Sequence, residues 1–252
     1  MFKLDNKNHS VRSGAPSLYP GAPQGFRSLA EQGTHAFAFE RYGSSVGGAP
    51  LEFLPCSEEC WLLAIAGMHG EEPESTVVLS RTLRLLRNPP RHTAVVLCCN
   101  PDGVALGTRG NRHGVDLNRN FPAANWKSTP VECRLILEAP RVTRLSPGAA
   151  AGSEPETQSL IQLIERLHPR EVLSLHAPLG FVDCTQPTPL TQNLCEQLGL
   201  PWVQSPGYET PGSFGSWCED QNLPCVTLEL PRESSEALAS RYAASLAELL
   251  FH

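Results

Sequence analysis

Trp61-Leu62-Leu63-Ala64-Ile65-Ala66-Gly67-Met68 runs without a break into His69-Gly70-Glu71-Glu72. An apolar run with no polar residue on either alternate face reads as a strand covered on both sides, the kind that parallel sheets use. Over residues 74–86 leucines and valines recur at helical spacing until Asn88-Pro89-Pro90 stops them, and residues 94–99 are again apolar throughout. Strand, helix and strand in succession make a β-α-β unit, so the chain is expected to be α/β. The polar tetrad falls where the first strand gives way to a turn.

Upstream of this unit, residues 36–43 and 51–54 read as an antiparallel pair. Downstream, a Pro-, Gly- and Arg-rich segment reaches to about residue 150 and is too rich in special residues to be an inert connection; it reads as an active-site wall. Helix resumes over residues 153–167, with Glu156 at capping-box spacing from Ser153. Residues 171–175 form a strand that delivers His176 at its end. A helix over 189–198, a strand over 225–228 and an amphipathic helix over 233–251 complete the alternation. Residues 1–30, rich in Ser, Pro, Gly and Asn, read as an irregular N-terminal arm around the domain or a partner, and a homodimer built with its help stays open. Residues 31–252 are expected to form the catalytic domain.

With 252 residues, 40% hydrophobic and 18% charged, the chain has enough apolar material for one large core. The net charge of -6 and the lack of any Lys/Arg block argue against a nucleic-acid or anionic-membrane surface, so small molecules are the expected partners. No stretch is long and apolar enough to span a bilayer, and Met1 to His9 lacks the apolar core of a secretory signal, which points to the cytoplasm. Nine cysteines, an odd number in a long chain, fit reduced thiols better than a disulfide framework. Cys56 and Cys60 lack a second Cys/His pair nearby and read as incidental; Cys98-Cys99 reads as strand core.

The chemistry gathers in separated places. His69 and Glu72 lie three apart at a strand end, and His176 is the one other histidine that follows an apolar strand; together they offer two nitrogens and an oxygen to a divalent metal. Three protein ligands leave the fourth corner of a tetrahedral zinc for water, the arrangement of a catalytic site. Within Gly114-Val115-Asp116-Leu117-Asn118-Arg119-Asn120-Phe121, Asp116 is suited to fix the tautomer of a ligand histidine. Arg119 there offers a planar fork matched to a carboxylate, with Asn118 adding an amide donor. Asn100-Pro101-Asp102-Gly103 reads as a turn that swings Arg109 and Arg112 back toward the metal. Glu229, in Leu228-Glu229-Leu230-Pro231, places a charge in an apolar strand, where it is costly unless it faces a metal, a cavity or a partner. Before it, residues 208–217 have the glycines of a mobile loop and, in Tyr208, a phenol that would close over a substrate.

In this order the residues resemble those of the zinc carboxypeptidases of the carboxypeptidase A-like clan. The resemblance rests on His69/Glu72, Asn100-Pro101-Asp102-Gly103, the run from Asp116 to Phe121, His176, Tyr208 and Glu229, and spans most of residues 35–232. Within the clan, Gly107-Thr108-Arg109-Gly110-Asn111, His176-Ala177-Pro178-Leu179-Gly180, residues 210–216 and Glu229-Leu230-Pro231 are similar to those of the bacterial murein peptide amidases. The resemblance implies a single-domain α/β/α sandwich with a central mixed, mostly parallel twisted sheet and one zinc ion per chain on His69, Glu72 and His176. It further implies Glu229 as general base and acid, Arg109 as oxyanion partner, with Arg112 close enough to exchange roles with it. Asn118 and Arg119 become a clamp on the substrate α-carboxylate, and Tyr208 a cap. The implied substrate is a murein tripeptide, cut between γ-D-glutamate and meso-diaminopimelate during cell-wall recycling. An N-acyl amino-acid deacylase of the succinylglutamate desuccinylase/aspartoacylase type shares the His-x-x-Glu and Asp-Leu-Asn-Arg signals and is the rival reading. A peptide-binding relative without turnover is the non-enzymatic one.

Overall fold

The computed structural model describes residues 26–27, 29–34, 37–133 and 143–251. Most of the expected N-terminal arm lies outside the described residues. What is described of its end includes a short 3-10 helix, Leu29–Gly33, beside α1, with Arg84 donating to the Gln32 carbonyl.

Glu40–Ser44 (β1) and Pro50–Phe53 (β2) form the expected antiparallel pair, with residues 37–39 outside the strand and residue 36 outside the described residues. Leu62–Ile65 (β3), Pro73–Leu85 (α1) and Thr93–Val96 (β4) are the β-α-β unit, with β3 and β4 parallel. Pro101–Leu106 (α2) follows, then Val131–Cys133 (β5) and Thr143–Leu145 (β6), which pair with each other. Pro155–Leu167 (α3) leads into Glu171–His176 (β7) and Leu179–Asp183 (β8). The chain ends with Pro189–Leu198 (α4), Trp202–Val203 (β9), Phe214–Asp220 (α5), Cys225–Pro231 (β10) and Ser235–Phe251 (α6). The main sheet has the order β4-β3-β7-β10-β8-β9. β4, β3, β7 and β10 run parallel, while β8 is antiparallel to β10. The mixed, mostly parallel sheet expected of the fold is therefore present.

Strand alternation divides the core in two. Leu62, Ala64, Leu173, Leu175, Val226, Leu228 and Leu230 pack with α1, α4 and α6. Leu63, Ile65, Ala94, Val96 and Val172 pack on the other face with α3, α5 and Phe121. On that second face the apolar series stops at Val172 in β7. The next residues of the same phase are Ser174 and His176, and beside them on β10 lie Thr227 and Glu229. Polar residues replace the core only there, at the C-terminal ends of the central strands, where open α/β sheets bind ligands.

Three local readings are corrected. Asn100-Pro101-Asp102-Gly103 is the start of α2 and not a turn: Asn100 is the N-cap, its side chain accepts from the Gly103 N–H, and Pro101 takes the first helical position. Glu156 makes no capping box with Ser153, because its carboxylate accepts from Val46 N–H and Asn111 Nδ2. Residues 214–217 of the expected loop belong to the helix α5, which is capped by Ser213 accepting from the Ser216 N–H.

Candidate active site

β3 and β7 end side by side, so the turn after β3 and the last residue of β7 bring His69, Glu72 and His176 together. The turn is tight because Gly70 lies against the Gly103 carbonyl of α2, where a Cβ would overlap backbone atoms. His69 Nδ1 lies 2.8 Å from Glu72 Oε1, His176 Nδ1 lies 3.1 Å from Glu72 Oε2, and the two Nδ1 atoms are 3.3 Å apart. All three side chains are buried or nearly so.

The outer nitrogens decide what the inner ones can be. His69 Nε2 faces Asp116 Oδ1 at 3.2 Å, and an ionised carboxylate only accepts, so Nε2 carries a proton and Nδ1 is the nitrogen left to offer its lone pair to a metal. His176 Nε2 is held by Ser174 Oγ at 3.0 Å. Two imidazole nitrogens and a carboxylate thus converge on one point, where protons hold them together in the metal-free protein and a divalent cation would replace those protons. Donors about 2.0–2.2 Å from one tetrahedral zinc are separated by roughly 3.3 Å. The donor set therefore fits a divalent zinc. Burial works against the Glu72 carboxylate, but in the metal-free protein the charge and hydrogen bonds of the protonated imidazoles outweigh it and hold its pKa below the usual range. Burial likewise opposes the Asp116 carboxylate, and Arg109 and His69 keep it well below normal.

Glu229 reaches this centre from β10. It pairs in register with His176 across the parallel ladder and with Phe181 of β8 on the other side. The Leu179 N–H donates to its Oε2 at 3.4 Å. Burial raises its pKa, with Glu72 adding to the rise and His176 opposing it.

Arg109 lines the same cavity and is ion-paired: Nε donates to Asp116 Oδ2 at 2.8 Å, and NH1 lies 3.3 Å from both Glu71 and Glu72. Arg119 is only 2% exposed, yet no carboxylate among the described residues lies within ion-pair distance of it; NH1 donates to the Asn118 carbonyl and Nε has no partner. Asn118 Oδ1 accepts from the Phe214 N–H, which fixes its amide against the start of α5. Tyr208 is half-exposed on the cavity wall. Arg112, expected to swing toward the metal with Arg109, is exposed and is not among the residues lining the cavity.

The cavity measures about 1000 Å³ and runs from His69, Glu72 and His176 past Asn118 and Arg119 to Asp183, Thr227 and Glu219. Sequence reasoning missed Ser174, Glu71 and Asp183. Ser174 stands two residues before His176 and so shares its strand face, a signal that was available; the other two follow only from the tertiary fold. Among the described residues no metal-ligand cluster involves Cys56 or Cys60, and Cys60 belongs to the core.

Comparison with known proteins agrees with this geometry. The family described as zinc carboxypeptidase matches residues 26–179. Murein peptide amidase A of Escherichia coli (strain K12) is 48% identical over 228 residues, covering 89% of this chain and 94% of that protein. Its counterpart from Vibrio campbellii is 42% identical over 214 residues, 84% of this chain and 86% of that protein. The crystal structure of murein-tripeptide amidase from Escherichia coli O157 superimposes with a TM-score of 0.86 at 46% identity, over 90% of this chain and 97% of that one. Bovine thrombin-activatable fibrinolysis inhibitor shares the fold at 17% identity and a TM-score of 0.64, over 84% of this chain and 88% of that one. The chain belongs to the zinc carboxypeptidase family.

Proposed function

We propose that this chain hydrolyses the γ-D-glutamyl-meso-diaminopimelate amide of a murein tripeptide, with His69, Glu72 and His176 as the zinc ligands. Membership of the family makes it a zinc-dependent hydrolase of peptide or amide bonds. The choice of substrate rests on the similarity to murein peptide amidases over most of both chains. The observation that carries the reading is the donor triangle with Glu229 in register beside His176.

Bound zinc would supply Lewis acidity, lowering the pKa of a water and polarising a carbonyl. Glu229 accepts the water proton and returns it to the leaving amine; its raised carboxyl pKa brings it nearer the pH at which such a shuttle is efficient. Asp116 holds His69 in the tautomer that turns Nδ1 inward, and Ser174 does the same service for the orientation of His176. Arg119, a buried guanidinium lacking an acidic partner among the described residues, grips the α-carboxylate of the leaving residue, and Asn118 adds its amide. Arg109 meets the developing oxyanion with what its three carboxylate contacts leave over. Tyr208 covers the bound peptide.

No helix among the described residues is long and apolar enough to cross a membrane, and eight of the nine cysteines are free thiols. Free thiols fit a reducing compartment, and we place the enzyme in the cytoplasm, acting on recycled wall peptides. Mass spectrometry of the products from L-Ala-γ-D-Glu-meso-diaminopimelate tests the reaction. The expected products are free diaminopimelate and the dipeptide, lost with a chelator and recovered with zinc. An intact tripeptide, with N-succinylglutamate cleaved instead, would assign the chain to the deacylase chemistry.

A further inference from the structure

Beyond the catalytic cluster, the cavity continues along the same face of the sheet to Asp183. This residue ends β8 and lies opposite Thr227 of β10, two positions before Glu229 on that strand. In an antiparallel pair, opposed residues share a face, so Asp183, Thr227 and Glu229 all look into the cavity, which all three line.

Asp183 is partly buried, and among the described residues its carboxylate has neither a hydrogen-bond nor an ion-pair partner, unlike Asp116, Glu72 and Glu71 at the other end. Among the described residues the lining holds two permanent cations, Arg109 and Arg119, and Arg109 is committed to three carboxylates of the metal end. The far end adds Glu219 of α5, also on the wall, and no lysine or arginine among the described residues. Burial pushes the Asp183 carboxyl up to about 6, as expected for an acid without a cationic neighbour. A carboxylate kept in this state is complementary to a positive group, which none of the described residues supplies.

We infer that Asp183 is the specificity-determining residue of the leaving-side pocket, pairing with an ammonium at the end of the substrate side chain. The inference rests on the amide hydrolysis proposed above and adds to it the class of side chain accepted. The dimensions agree. Two strand residues and one interstrand step place the Asp183 backbone about 8 Å from that of Glu229. Five single bonds from an α-carbon to a terminal ammonium span about 6 Å, the length shared by lysine and diaminopimelate. The distal carboxylate of diaminopimelate is not what the acidic wall selects, so lysine is expected to serve as well as diaminopimelate at this contact.

The test compares three tripeptides that differ only in the last residue, meso-diaminopimelate, lysine or norleucine, on the zinc-loaded wild type and on Asp183→Asn. The substitution is expected to lower kcat/KM for the two ammonium-bearing peptides by about 10- to 100-fold, mostly through KM, and to change that of the norleucine peptide by less than about threefold. Zinc content should be unaltered. Equal losses on all three peptides, or unchanged kinetics with diaminopimelate, would overturn the inference while the reaction itself stands. A wild type inert on all three would overturn the reaction and this inference together.

Discussion

Glu229 sits in a strand whose other phase, Val226, Leu228 and Leu230, is fully buried against α6 and its neighbours. The proton-transfer role proposed for Glu229 would account for a carboxylate in that place. Glu229→Gln should keep the zinc, since it is not one of the three donors, and lower kcat by about 10²- to 10⁴-fold. Metal analysis beside turnover checks this; full turnover in the variant would remove Glu229 from the mechanism. Arg119 makes a separate claim. Arg119→Ala should raise KM for peptides with a free α-carboxylate by about 10²-fold and leave amidated peptides nearly unaffected, because only the former need the fork. An equal effect on both would reject the clamp. Asp183 has a consequence for stability as well. An acid with its carboxyl near 6 in the folded chain and near 4 in the unfolded one favours the protonated fold, so its ionisation costs stability above pH 6 and costs nothing below about pH 4. Discounted for its exposure, the cost at pH 7.5 is about 1 kcal/mol. Asp183→Asn should therefore be more stable than wild type in urea unfolding at pH 7.5 and equal to it near pH 4. A variant less stable at both values would contradict the unpaired state of this carboxylate.

Among the elements, those with long apolar patterns were legible. The β-α-β unit of β3, α1 and β4 and the helices α3, α4 and α6 follow from periodicity because each buries one whole stripe or both strand faces. The short elements were not. α5 carries Gly215 inside seven residues, too few for a period to show, and its only local mark is the Ser213 cap. β8 has a mixed burial pattern over five residues, with Gly180 within it, so nothing in its composition announces a strand. α2 was read as a turn because Asn-Pro-Asp-Gly suits either structure, and the choice is made by the packing of Gly70 against Gly103. That contact gives an element-scale prediction. Gly70→Ala forces the turn bearing His69 and Glu72 away from α2, and zinc affinity should fall by at least about 10-fold, as when the supports of ligands are disturbed. Leu246→Ala in α6, in the opposite layer, should cost about 2–5 kcal/mol in unfolding and leave kcat unchanged. Calorimetry and zinc titration of the two variants separate the effects. Unaltered zinc affinity in Gly70→Ala would show that the close approach is not what holds the turn.

At the scale of the molecule, one face of the sheet turns polar where β3, β7 and β10 end, and the histidines that meet there come from positions more than a hundred residues apart. The cluster these residues form was legible because a His-x-x-Glu after a buried strand, a histidine ending another and an acid inside a third make sense only jointly. The far end of the cavity was not legible, since the face of Asp183 depends on β8 running antiparallel beside β10, a pairing that no local pattern specifies. The central claim is that His69, Glu72 and His176 hold one zinc ion with Glu229 beside it. Anomalous diffraction from a zinc-loaded crystal, recorded on both sides of the zinc edge, tests it most directly. The account predicts a single strong peak within bonding distance of His69 Nδ1, His176 Nδ1 and a Glu72 carboxylate oxygen. A peak held by any other residues, or imidazoles at 69 and 176 too far apart to share one ion, would contradict it.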